Sequence, residues 1–164
     1  MKVTGHAIKY GDDINTDLIL PGKFLTLTEP KEMAKHAMEG LDPNFRKKCE
    51  DGIIVAGKNF GCGSSREQAP LALKYAGIKC VIAKSFARIF YRNAVNIGLP
   101  VLECEQAFHK IEENDLLEVY LESGTIRNVS RGTIVRAQPL PKFIIEILEE
   151  GGLLNLLKKR IKNE

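Results

Sequence analysis

The segment Asn59–Ala69, NFGCGSSREQA, lies between a short apolar run, DGIIVAG, and a stretch with helical spacing, PLALKYAG. Glycines at 61 and 63 permit tight turns and close approach of a ligand to the backbone. Ser64, Ser65 and Arg66 are then expected at the start of a helix, where free N–H groups and the helix dipole favour an anion. The planar guanidinium of Arg66 matches a carboxylate or phosphate with two parallel hydrogen bonds. The chemistry these residues offer is therefore anion binding beside a serine hydroxyl. The structural alternative is a serine N-cap with a solvated Arg66–Glu67 pair. Three other patterns do not fit. No lysine follows the glycines as in a P-loop. G-x-G-x-x-R lacks the third glycine of a dinucleotide fingerprint. No G-x-S-x-G nucleophile elbow is present.

The flanking pattern says what must position these residues. KVTGHAIKY reads as a strand ending in the polar turn GDDINTD. LILPGKFLTLTEP is apolar but interrupted by Pro21, Gly22 and Pro30, so it reads as a loop with exposed apolar residues. A helix is expected over PKEMAKHAMEG, capped by Thr28 or Glu29, with Pro30 at its first position and Gly40 closing it. LDPNFRKKCEDG reads as a loop and IIVAG as a buried strand. REQAPLALKYAG is expected to be helical up to Gly77. KCVIAKS reads as a second buried strand, and FARIFYRNAVNIG as a helix stopped by Gly98 and Pro100. PVLEC adds a short strand. This alternation predicts a parallel sheet. DLLEVYLESGTIRNVSRGTIVRAQPLP alternates between turn signals and reads as a small antiparallel β extension. KFIIEILEEGG and LLNLLKKRIK close the chain as two short helices split by Gly151-Gly152. One α/β domain over residues 1–164 is expected.

Composition narrows the function classes. The net charge is only +3, and the one basic cluster, KKRIK, reads as a last helical turn complementing the helix dipole rather than as a nucleic-acid or membrane patch. No apolar run approaches the ~18 residues of a bilayer span, and the opening MKVTGHAIKYGDD lacks the apolar core of a signal peptide. Cys49, Cys62, Cys80 and Cys104 form no C-x-x-C pair, so neither a zinc knuckle nor an iron–sulfur loop is visible. His6, His36 and His109 lack metal spacing. A cytoplasmic protein with free thiols is expected.

Three motifs in order, GDDINTDLILPGKF, GKNFGCGSSREQA and AKSFARIFYRNAVNIGLP, resemble the small subunits of the isopropylmalate isomerases. These in turn are similar to the C-terminal swivel domain of aconitase and homoaconitase. The resemblance runs over nearly the whole chain and is strongest from Gly57 to Pro100. It implies a swivelling β/β/α domain that binds no cofactor itself. It also implies a larger partner, in a heterodimer or heterotetramer, that carries a [4Fe–4S] cluster with one iron open to a small hydroxy-acid substrate. The implied reaction is a hydro-lyase step of leucine biosynthesis: 2-isopropylmalate becomes 3-isopropylmalate through 2-isopropylmaleate.

The same resemblance implies roles. Ser64 is the base, and Arg66 binds a substrate carboxylate. Ser65 donates to that carboxylate or caps the helix. Glu67 orients Arg66 or a partner group, and Cys62 lines the site. Asp17 supports an acid–base histidine on the partner; a purely turn-forming role is the alternative. Arg88 and Arg92, four apart on one helix face, line the cleft or tie their helix to acidic neighbours. The loop FLTLT would lie over the variable group of the substrate. Homoaconitase-type members carry an arginine in a Tyr-Leu-Arg-Thr pattern, and Thr26 stands at that position. Without a cation there, a third carboxylate is poorly paired, whereas Phe24, Leu25 and Leu27 offer apolar surface to a branched alkyl group. Alternatively the loop is only a lid, and specificity lies on the partner. Other open assignments are a homoaconitase subunit, a related alkylmalate (citraconate or methylmalate) hydro-lyase subunit, or a non-catalytic anion-binding module.

Overall fold

The central strands are apolar on both faces, so helices must cover both sides of the sheet they form. In the computed structural model, which describes residues 1–163, the elements follow in this order. First come β1 (Lys2–Lys9), α1 (Thr16–Ile19), α2 (Pro30–Ala34), α3 (Phe45–Lys48) and β2 (Gly52–Ala56). Next are α4 (Gln68–Ala76), β3 (Cys80–Ala83), α5 (Arg88–Asn96), β4 (Val101–Glu103) and α6 (Glu105–Lys110). The chain ends with β5 (Leu116–Tyr120), β6 (Thr125–Asn128), β7 (Thr133–Arg136), α7 (Lys142–Glu149) and α8 (Leu153–Lys162). The strands form one sheet in the order β4-β3-β2-β1-β5-β6-β7. It is parallel from β4 to β1 and antiparallel from β1 to β7.

Register explains the two cores. Ile8, Ile54, Val81 and Val101 lie in line across the parallel half and bury into the layer formed with α1, α2, α4, α5 and α8. Val3, Val119, Ile126 and Val135 lie in line across the other half and bury into the second layer, with Ala107 of α6 and Ile145 of α7. Helix α6 packs on β2, β3 and also on β7, which stand near opposite edges of the sheet order. The sheet therefore curls around α6. The antiparallel strands are not an appendage but the second half of the same sheet, joined through the β1–β5 pair.

Several local expectations are corrected. α2 stops at Ala34, well before Gly40; Met38 turns to a positive φ of 61° and its N–H donates to the Ile19 carbonyl at 2.8 Å. That long-range bond ties the chain to α1, where a continued helix would have used the same N–H internally. α3 is a short helix within the stretch read as a loop, and α6 was not foreseen. α4 begins at Gln68, not at the serines, and ends at Gly77 in the left-handed conformation. Among the described residues no helix is long and apolar enough to cross a membrane. The parallel strands β1, β2 and β3 all end at the same edge, so the segments that follow them are gathered there. This is where open α/β sheets place their ligands.

Candidate active site

The segments after β1 and β2 are zipped together by their backbones. Gly57 N–H donates to Gly11 O (3.0 Å), Asp13 N–H to Lys58 O (2.8 Å), Gly61 N–H to Ile14 O (2.7 Å) and Thr16 N–H to Cys62 O (2.8 Å). Side chains reinforce the seam: Lys58 N–H donates to Asp12 Oδ1 (2.7 Å), and Asn59 Nδ2 to Asp13 Oδ1 (3.2 Å). Gly57 keeps the seam close: a Cβ there would lie 1.9 Å from Asp12 Oδ1 and 3.0 Å from the Asp12 backbone nitrogen. The segment after β3 joins the pair. Asn59 N–H donates to Ser85 Oγ (2.8 Å), Phe60 N–H to Ser85 O (3.0 Å) and Ala87 N–H to Phe60 O (3.0 Å). Phe60 is fully buried and meets Phe90 edge-on, with ring centroids 5.2 Å apart. Gly61, with φ +83°, presses against that same ring; a Cβ would come within 2.2 Å of it. The backbone below the serines is thus held on three sides.

Above this base the polar side chains are open. Ser64 and Ser65 are exposed. Among the described residues their hydroxyls make no hydrogen bond, and the backbone N–H groups of Gly63, Ser64 and Ser65 donate to no acceptor of the chain. The alternative of a serine N-cap is not realised: the N-cap of α4 is Glu67, with no side-chain cap bond. Pro70 has no N–H, and that of Ala69 donates to Arg66 O (3.3 Å), which leaves Gln68 N–H as the free donor of the first turn of α4 among the described residues. Further free donors lie on the turn at 63–65, as in a backbone anion nest.

Asp17 and Arg66, 49 positions apart in the chain, meet here. Asn15, not Asp17, caps α1, its Oδ1 accepting from Leu18 N–H at 2.9 Å. Asp17 is left to accept at Oδ1 from Gly22 N–H (2.9 Å) and from Arg66 Nη1 (3.1 Å). Those two donors hold the Asp17 carboxyl below the usual carboxylate range, Gly22 first and Arg66 second. Arg66 Nη1 also donates to Leu20 O (3.2 Å). Its Nη2 and Nε make no hydrogen bond among the described residues, so one edge of the fork is free for a carboxylate. The arrangement offers one preset guanidinium, two free hydroxyls, three free N–H groups and an exposed carboxylate.

The remaining predicted residues divide. Gly22 anchors the base of the 22–28 loop directly at the Asp17–Arg66 pair. Thr26 is exposed on that loop, while Phe24, Leu25 and Leu27, expected to be exposed, are half-buried against the core. Phe24 stacks on His36 at 3.7 Å. Cys62 is half-buried and burial pushes its thiol up, as it does for Cys80, raised to about 12. Neither supplies a thiolate nucleophile near neutral pH. Arg88 and Arg92 are exposed on α5 and pair with no acidic neighbour among the described residues, contrary to the expected tie. Asn15, Gly22 and Ser85 were missed as site-builders. Asn15 before an apolar pair is a readable cap signal, but nothing local marks Gly22 or Ser85. No three His, Cys, Asp or Glu side chains come together as metal ligands among the described residues.

The family model of the aconitase C-terminal domain matches residues 9–107, which carry all three site segments. The chain belongs to the aconitase C-terminal domain family. Within this family it is 57% identical over 159 residues to a 3-isopropylmalate dehydratase small subunit of Caldanaerobacter subterraneus subsp. tengcongensis, covering 96% of this chain and 99% of that one. It is 56% identical over 160 residues to an isopropylmalate/citramalate isomerase small subunit of Methanocaldococcus jannaschii, covering 97% and 95%. A crystal structure of a 3-isopropylmalate dehydratase from Methanocaldococcus jannaschii superposes with a TM-score of 0.91 at 49% identity, covering 98% of this chain and 95% of that one. The aconitase-type swivel fold implied by the three motifs is thus the fold observed.

Proposed function

We propose that this chain is the small subunit of a 3-isopropylmalate dehydratase, interconverting 2-isopropylmalate and 3-isopropylmalate by loss and re-addition of water. The observation that carries the reading is the site itself: Arg66, preset by Asp17, beside two unbonded serine hydroxyls in a chain 57% identical to such a subunit. Dehydration needs a base for a weakly acidic C–H proton next to a carboxylate. Ser64 is assigned that proton, taken onto Oγ as the double bond forms. Its alkoxide needs stabilising, and the free N–H groups at 63–65 and the Arg66 guanidinium are the groups placed for it. The free edge of Arg66 binds a substrate carboxylate, with Ser65 Oγ as a second donor. Asp17 keeps one oxygen free for a group on the partner. Among the described residues no three His, Cys, Asp or Glu side chains gather as metal ligands; the [4Fe–4S] cluster is assigned to the larger subunit, where it would supply Lewis acidity to the substrate hydroxyl. The complex is assigned to the cytoplasm.

Substrate breadth has a second reading. A relative named for both isopropylmalate and citramalate is 56% identical, and a few methylenes in an apolar pocket discriminate by only ~1–3 kcal/mol. The complex is therefore expected to accept shorter alkylmalates as well. The test is reconstitution with a large subunit and hydration assays on 2-isopropylmaleate, citraconate and cis-homoaconitate. Turnover of the first, with lower kcat/KM for the second and little for the third, is expected. A preference for cis-homoaconitate would overturn the assignment, and so would turnover by this chain alone.

A further inference from the structure

The outer face of α5 carries a groove that the site chemistry does not use. Two adjoining cavities, of about 410 and 450 Å³, share Arg88 and Tyr91 in their walls. The second is closed by Arg92 and by Phe143, Ile144 and Ile147 of α7. Arg88 and Arg92 stand one helical turn apart, exposed, and neither makes an ion pair or hydrogen bond among the described residues. Arg66, Arg127, Arg131 and Arg160 each hold a carboxylate, whereas Arg46 and Arg136 hold none among the described residues. The one acid in either wall, Glu103, lines the cavity that Arg92 does not. Phe143 is 61% exposed, while Ile145, Ile147 and Leu148 of the same helix are buried. Exposed arginines around an exposed aromatic ring are the composition of a protein contact surface. Arg88 and Arg92 are themselves part of the walls, beside Phe143, Ile144 and Ile147, so the groove offers cations and apolar surface together.

Position adds a second argument. α5 is locked to the serine turn by the Phe60–Ser85–Ala87 backbone bonds and by the packing of Phe60 on Phe90. Whatever seats in this groove is therefore held in fixed register with Ser64.

We propose that the α5–α7 groove is a docking surface for the larger subunit. It takes a segment with two carboxylates about one helical turn apart, flanking an apolar side chain. The proposal rests on the dehydratase reading, which requires a second subunit to cover the open serines. Two unpaired guanidinium groups call for two carboxylates, and Phe143 for an apolar counterpart.

The test is the dissociation constant of this chain with the purified larger subunit, at low and high salt. The Arg88→Glu/Arg92→Glu double variant should raise Kd roughly 30-fold or more and lose the salt dependence. Phe143→Ala should raise it ~5–30-fold. Neither should lower kcat at saturating partner, nor the Tm of the isolated chain. A photo-crosslinker at position 143 should attach to an acidic segment of the larger subunit. An unchanged Kd in the double variant, or a crosslink to a second copy of this chain, overturns the proposal. So does binding of free leucine, used as a small-carboxylate probe, that is lost in the double variant while subunit affinity is kept. If the wild-type complex forms but does not turn over 2-isopropylmaleate, the functional reading fails and the Kd comparison still decides the groove. If the wild-type complex is active and the double variant binds equally well, the groove proposal alone fails. Absence of any complex overturns both.

Discussion

Two aspartate–arginine pairs in this chain look alike in the sequence and differ in the fold. In the antiparallel half, Asp115 Oδ2 accepts from Glu112 N–H (2.9 Å), Asn128 Nδ2 (2.8 Å) and Arg131 Nε (2.7 Å). Its side chain is 7% exposed. Burial pushes this carboxyl up, but the N–H groups of Glu112, Asn128 and Arg131 outweigh it and hold it below the usual range. At the ends of the parallel strands, Asp17 is 66% exposed and only one of its oxygens is engaged. A nearly buried carboxylate whose Oδ2 holds three donors works as a fastener between the segment before β5 and the β6–β7 turn. An exposed pair with spare donors beside unbonded hydroxyls is poised to bind. The backbone seam below it supplies the rigidity, so the side chains need not.

The largest effect is expected at Ser64. Ser64→Ala should lower kcat of the reconstituted complex by ~10²–10⁴-fold and leave the Tm of the chain unchanged, because the hydroxyl makes no hydrogen bond among the described residues. Retained kcat would place the base elsewhere.

Asp115→Ala should do the reverse. It leaves kcat intact but costs about 1–3 kcal/mol in urea denaturation, since the buried Asn128 amide loses a charged acceptor. The sign of its pH dependence follows from the depressed carboxyl. Its contribution is full at neutral pH, and is lost only as pH falls below ~3.9 and through its lowered folded value. Wild type and variant should therefore converge only in strong acid; convergence near neutrality would refute the fastener role.

Arg66→Lys keeps the charge but not the fork. It should lower kcat/KM by ~10–100-fold, the worth of one or two charge-assisted hydrogen bonds. An unchanged kcat/KM would show that the free edge of Arg66 binds no carboxylate. The smallest effect is expected at Thr26→Arg. A guanidinium on the exposed side of the loop should shift the kcat/KM ratio towards cis-homoaconitate by ~10-fold, since a single added contact of this kind is partial. With no shift, specificity belongs to the larger subunit.

The strands β1, β2 and β3 and the helices α4 and α5 were readable because their apolar periods persist for several residues and end at glycine or proline. α2 was read too long: nothing near Met38 announces that its N–H is claimed by Ile19, 19 positions earlier. The serines were read as a helix start because Gly-Ser-Ser before an apolar run resembles a cap, whereas the turn is pinned by Ile14, Thr16 and Ser85 from other segments. Leu25 and Leu27 were read as exposed because prolines and glycine interrupt their segment; yet the core draws them in.

The amino-acid sequence alone determined the chemistry available: two serines, an arginine and an aspartate in motifs specific enough to name a family. It also determined the period of each long element, because periodicity is local. Only the tertiary structure decided that Asp17 meets Arg66 through Oδ1 and leaves one edge of the guanidinium free, that the antiparallel strands continue the parallel sheet, and that Arg88 and Arg92 stand without a counter-ion among the described residues. The physical reason is the same in each case. Hydrogen bonds and ion pairs are chosen among groups far apart in the chain, and which donors are left over is known only after every nearer acceptor in space has been claimed.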